Sequence, residues 1–128
     1  MIVIAIIAML ALDAIWMTLN KSRYQKLVQD VQKKVMNIKI ISAICAYILM
    51  ITGLVYIICP LVRANKVIDA NNNKFIIALK YGGLFGLVVY GIFNATNYAI
   101  FENYSMSTAV IDTLWGCLLY TIVTYIAI

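Results

Sequence analysis

Asp13 and Asp112 are carboxylates set inside long apolar runs. Placing such a group in hydrocarbon costs at least about 2.5 to 3.5 kcal/mol, so an intramembrane acid is expected to face a partner or a polar pathway, where it binds a proton, a cation or a polar solute. Both stand in the same short pattern, Asp13-Ala14-Ile15-Trp16 and Asp112-Thr113-Leu114-Trp115, and they are two of the five acidic residues in the chain. Asn94, Thr96 and Asn97 stand inside a third apolar run and would complete a coordination shell with neutral groups.

Other chemistry is thin. With no histidine, imidazole metal sites and histidine-based triads are excluded. Cys45, Cys59 and Cys117 form no Cys-x-x-Cys pair and read as small buried apolar residues. No strand leads into a glycine-rich phosphate loop. No catalytic residue, metal or cofactor is assigned; an aspartate acting as general base on a lipid would lack a visible nucleophile. The net charge of +5 belongs to membrane flanks and points to anionic headgroups, not to nucleic acid. Asn94-x-Thr96 and Asn103-x-Ser105 match the glycosylation pattern, but one lies inside a span and the other in a tight turn beside the bilayer.

The elements that position these residues follow from composition. At 65% apolar and 12% charged over 128 residues, the chain is one polytopic membrane domain. Four runs, about 2–19, 38–59, 75–101 and 108–128, are long enough to cross a bilayer as helices. The first lacks a basic leader and contains an acid, so it is expected to be a retained helix and not a signal peptide. Between the first two runs, Tyr24, Leu27, Val28, Val31 and Val35 recur at helical spacing, with Lys21, Arg23, Lys26, Lys33 and Lys34 on the other faces. That pattern predicts an amphipathic helix over about 21–37, lying in the interface with its stripe in the acyl boundary and its cations toward anionic headgroups. Pro60 is expected to end the second span, and Lys80 to snorkel from the third. The fold class is all-α.

Depth brings the polar residues together. Counting from the ends of the runs at 1.5 Å per residue, Asp13, Asn94, Asn97 and Asp112 all stand roughly 8 to 12 Å below the surface that carries the amphipathic helix. The second span adds Ser42, Cys45 and Ala46 near that level. Phase agrees: Gly82, Gly83, Gly86, Tyr90, Asn94 and Asn97 share about one third of the third helix's circumference. Gly82-x-x-x-Gly86 permits close backbone approach, with Gly116 on the fourth run, so the third span is expected to pack centrally. Trp16 fits an aromatic belt as well as a wall of the site; Trp115, deeper, is expected beside the polar groups with Tyr90.

Lys21, Arg23, Lys26, Lys33, Lys34 and Lys39 flank one surface, against Arg63, Lys66, Lys74 and Lys80 on the other. The excess places the amphipathic segment in the cytoplasm and both termini outside it. A homo-oligomer is a further expectation for so small a bundle.

Taken with Tyr24 and Pro60, the stretches Leu12 to Trp16, Gly82 to Gly86 with Tyr90, Asn94 to Asn97 and Val110 to Gly116 resemble a family of small four-span membrane proteins, known mainly from bacteria with relatives in large DNA viruses and classed as a domain of unknown function. The resemblance implies the architecture and no activity. It also implies an aspartate where this chain has Asn94, so one acid fewer stands here.

Two functions of different class remain. In one, Asp13 and Asp112 bind or conduct a proton, cation or polar solute, with Asn94, Thr96 and Asn97 completing the site. In the other, the protein organises a membrane and the polar cluster only holds helices together, each interhelical hydrogen bond contributing about 0.6 to 2 kcal/mol.

Overall fold

Lipid offers the backbone no hydrogen-bonding partner, so a crossing segment must close its own ladder. In the computed structural model, which describes residues 1–128, four apolar helices do so: α1 (Ile2–Leu19), α3 (Ile40–Ala64), α4 (Lys74–Ile100) and α5 (Met106–Ala127). A shorter helix, α2 (Lys21–Gln32), follows α1 after the single residue Asn20. There are no strands.

Local chemistry sets the ends. Asn73 caps α4, its Oδ1 accepting the Ile76 N–H at 2.8 Å, and Ser105 caps α5, its Oγ accepting the Thr108 N–H at 3.2 Å. α2 ends at Gln32, five residues short of the end at 37 that periodicity suggested, because Lys33 takes the left-handed conformation with φ 60°. Pro60, in contrast, does not stop α3. The segment Gly53–Ile58 just before it is π-helical, and this wider turn relieves the clash between a proline ring and the carbonyl four residues back. The helix therefore runs on to Ala64. A second π segment, Ala78–Gly83, interrupts α4.

The axis of the bundle is α5, not the glycine-bearing α4: 44% of the apolar window of α5 is buried, against 22% for α4. The reason lies in both helices. A methyl group on Gly86 would run into the Gly116 carbonyl, one on Gly116 into the Tyr90 ring, and one on Gly82 into Thr124. The glycine face is real, but it docks α4 onto α5, which also packs against α1, α2 and the π segment of α3. Ala5, Met9, Leu54, Ile58, Trp115, Leu119, Tyr120 and Val123 fill the core between them.

The first half of α3 is held loosely. None of Ile40–Thr52 is buried. Two hydroxyls tie it down: Tyr47 donates to Asp13 at 2.6 Å, and Tyr120 donates at 3.0 Å to the Met50 carbonyl at the edge of the π turn.

Candidate functional site: an acid pair between antiparallel helices

Because α1 and α5 run in opposite directions, their two Asp-x-x-Trp patterns meet head to tail, and each tryptophan serves the other helix's aspartate. Trp115 donates its indole N–H to Asp13 Oδ1 at 3.1 Å. Trp16 donates at 2.8 Å to the Tyr24 hydroxyl, which in turn donates to Asp112 Oδ1 at 2.6 Å. The two indoles stack face to face, with centroids 4.6 Å apart and planes within 2°. Trp16 is thus a wall of the site and half-buried in protein.

The second oxygen of each acid is also engaged. Asp13 Oδ2 accepts from Tyr47 at 2.6 Å, and Asp112 Oδ2 accepts from Asn94 Nδ2 at 2.7 Å. Asn94 is locked in turn: its amide also donates to the Tyr90 carbonyl at 2.9 Å, and its Oδ1 accepts from the Tyr104 hydroxyl at 2.9 Å. Asp13 and Asn94 are buried, at 8% and 3% exposure, and Asp112 is half-buried. No lysine or arginine pairs with either acid; the single ion pair of the protein, Lys80 with Asp69, is elsewhere.

Each carboxylate therefore sits between an N–H donor, from the Trp115 indole or from Asn94 with its own oxygen held by Tyr104, and one tyrosine hydroxyl that can donate or accept. Burial, then the Asp112 carboxylate it faces, push the Tyr24 hydroxyl above the usual tyrosine range. Tyr24 consequently stands in the site as a neutral phenol. Tyr104 is shifted in the same direction, mainly by burial.

Asp13, Asn94, Asp112, Trp16 and Trp115 converge, as depth and phase require. Thr96 does not: it is exposed on the opposite side of α4 from Asn94. Asn97 stands one turn from Asn94 and lines a groove of about 400 Å³ under α2 that also reaches Asn94 and Asp112. Tyr90 covers Gly116 and supplies a carbonyl to Asn94. From α3 the contribution is Tyr47; Ser42, Cys45 and Ala46 are exposed. Two partners, Tyr24 and Tyr47, escape a reading by composition, because a tyrosine in an apolar stripe counts as apolar. The available signal is that a phenol placed inside a span needs a partner for its hydroxyl.

The stripe of α2 is turned toward the bundle. Leu27 is buried, and Tyr24, Val28 and Val31 are half-buried over the ends of α4 and α5, while Lys21, Arg23, Lys26, Lys33 and Lys34 are exposed.

No curated protein and no solved structure matches the chain. A family model does, over residues 1–128, and its description as a membrane protein agrees with the four apolar helices. The chain belongs to the family described as "Predicted membrane protein (DUF2177)".

Proposed function

We propose that this membrane protein is a proton- or cation-responsive binding or transport protein whose site is the pair Asp13 and Asp112. The observation that carries the reading is the reversible partner of each acid. When the carboxylate is ionised, Tyr47 or Tyr24 donates to it; when it takes up a proton, the acid O–H donates to the same hydroxyl oxygen, so acid and tyrosine stay hydrogen-bonded in both states while the phenol turns its own hydrogen aside. A site built this way exchanges a charge without rebuilding the bundle. The absence of a paired cation supports the reading, since an acid meant only as glue is cheaper as an amide. The groove under α2 gives Asp112 a route to the surface that carries the basic helix, and the excess of Lys and Arg there supports a cytoplasmic side.

A membrane-organising role is the second reading. It is favoured by one specific observation: all four carboxylate oxygens already have partners inside the protein.

Infrared difference spectroscopy in lipid nanodiscs separates them. Stepping the pH should reveal a protonated-carboxyl C=O band that disappears in Asp13→Asn or Asp112→Asn. A spectrum with no carboxyl band assignable to either residue, over the pH range in which the protein stays folded, contradicts the proposal.

A further inference from the structure

The two acids of the pair differ in access. Asp13 is enclosed in the core, whereas Asp112 is half-buried and lines the groove of about 400 Å³ beneath α2. That volume lies in the range of small-molecule sites, about 300 to 1,000 Å³. Most of the wall is apolar, from Met17 of α1, Leu27, Val28 and Val31 of α2, and Phe93 and Phe101 at the far end of α4. The polar groups form one chain within it: Tyr24 bonds Asp112, Asp112 bonds Asn94, and Asn94 bonds Tyr104.

Acceptor capacity is left over at this chain. Tyr24 and Asn94 donate one hydrogen bond to each Asp112 oxygen, and an ionised carboxylate offers about four lone-pair sites. The Tyr104 oxygen, having given its hydrogen to Asn94, can accept as well. No side chain of the protein brings a cation to it: Lys21, Arg23, Lys26, Lys33 and Lys34 are exposed on or just after α2, and the one ion pair joins Lys80 to Asp69.

Shape and charge then decide among cations. A metal ion needs several bare oxygens, yet hydrogens from Tyr24 and Asn94 already point at this carboxylate, and no trio of Cys, Asp or Glu stands together to hold one. It would also leave the apolar wall unused. A polyvalent amine would meet the repulsion of the five basic residues. The geometry points to a monovalent lipophilic amine as the solute of this site: a protonated primary or secondary amine whose N–H groups bond the free lone pairs of Asp112, with an aryl or alkyl body against Met17, Val31, Phe93 and Phe101. Such a ligand rests on the reading of the acid pair as a binding site, to which it gives a substrate class. The rings of Tyr24, Tyr104 and the two phenylalanines add cation–π attraction. Met17, Phe93 and Phe101 keep exposed faces, so the amine can enter from the side of the bundle without crossing the basic face of α2.

The test titrates phenylbutylamine, and its near-isosteric neutral alcohol phenylbutanol, into the full chain in nanodiscs at neutral pH. Trp16 and Trp115 are the chain's two tryptophans and both flank the acid pair, so intrinsic fluorescence reports the site and not partition into lipid. The amine should give a saturable change, with the alcohol weaker by about tenfold or more. Asp112→Asn should weaken the amine by about tenfold or more and leave the alcohol unchanged, while Phe93→Ala, on an exposed rim, should weaken both several-fold. Leu87→Ala, outside the groove, should change neither. No saturable response in wild type overturns the inference, as does full amine binding by Asp112→Asn. Equal affinity for amine and alcohol also overturns it, and would make the groove a seat for an uncharged chain. If Asp112→Asn does not fold, the ratio of amine to alcohol affinity in wild type and the loss in Phe93→Ala decide. The infrared carboxyl band, recorded on the same nanodiscs, keeps the two claims apart: a band that titrates while no amine binds removes the amine and leaves a proton site, whereas absence of both removes the acid-pair reading itself.

Discussion

Two ends of this bundle bury acids under tyrosine hydroxyls, and they differ in one respect. On the connection between α3 and α4, Asp69 is 3% exposed; it accepts from Asn72 at 3.0 Å and from the Tyr81 hydroxyl, and it pairs with the Lys80 ammonium at 3.0 Å. Its cover is its own connection rather than a deep core, and Lys80 remains about half in water, with 48% of its side chain exposed. At the other end Asp13 and Asp112 each have two neutral donors, as Asp69 has beside Lys80, and no cation. The charge of Asp69 is fixed by its partner, so the cluster acts as a clamp on a turn. Asp13 and Asp112 have partners that accommodate either protonation state, and that freedom is what a responsive site needs. Lys80, expected to snorkel from its span, reaches the connection at the span's end, where its ammonium meets the Asp69 carboxylate.

Both ends hang on the seam between α4 and α5, so the largest effect should come from wedging it open. Gly86→Leu should cost about 3 kcal/mol or more, or abolish folding, because the side chain meets the Gly116 backbone, which cannot move aside. Leu87→Ala, on the exposed face, should stay within about 1 kcal/mol, as read by thermal unfolding in detergent. Equal tolerance of both changes would break the premise that one seam supports the two regions.

Next in size is removal of an acceptor. Asp13→Leu leaves the Trp115 N–H and the Tyr47 hydroxyl without partners and should cost about 2 kcal/mol or more. Asp13→Asn should cost less than about 1 kcal/mol, since Asn Oδ1 can face Trp115 while Tyr47 turns to accept from Nδ2. A large loss for the asparagine would mean that the tyrosine cannot reverse, and the two ends would then be alike.

Removing the reversible partner should have a smaller effect. Tyr47→Phe is expected to cost about 1 kcal/mol and to raise amide exchange in Ile40–Thr52 selectively, because that half of α3 has no buried residue. Unchanged exchange there would show that lipid packing, not the Asp13 bond, holds the segment.

The smallest effect is local and depends on pH. The Tyr81 hydroxyl first, and then Lys80, hold the Asp69 carboxyl below its ordinary value of 3.8. A depressed value means that the folded state favours the ionised form, so the clamp contributes above the ordinary value and weakens as pH falls through and below it. Exchange protection of residues 65–73 should therefore drop in acid, and Asp69→Asn should abolish the pH dependence. Protection that rises in acid would reverse the sign and contradict the clamp.

The spans and the shared depth of Asp13, Asn94 and Asp112 were legible because both are one-dimensional: hydropathy gives the crossing and rise per residue gives the level. Phase was legible for Asn94 and for the glycine face, since it too is local to one helix. What escaped is pairwise. That Tyr24 meets Asp112 across 88 residues, or Tyr47 meets Asp13 across 34, depends on which helices neighbour each other. The glycine stripe identified a contact face but not which partner becomes the axis; α5 takes that place because Gly116 and its threonines let neighbours approach from several sides. Thr96 was chosen by proximity in sequence to Asn94, although two residues on a helix are about 200° apart. The passage of α3 through Pro60 needed a π turn that no residue pattern announces.

The central claim is that the acid pair exchanges charge while the bundle stays intact. Its most direct test is a paired measurement on wild type, Asp13→Asn and Asp112→Asn: thermal stability of the purified proteins, and proton or cation flux across liposomes carrying them. The account predicts flux in wild type, and loss of that flux in each asparagine variant with stability preserved. Wild type without flux and without ligand-dependent stabilisation under any imposed gradient would contradict it, and would leave the polar cluster as the fastening of a membrane-organising protein.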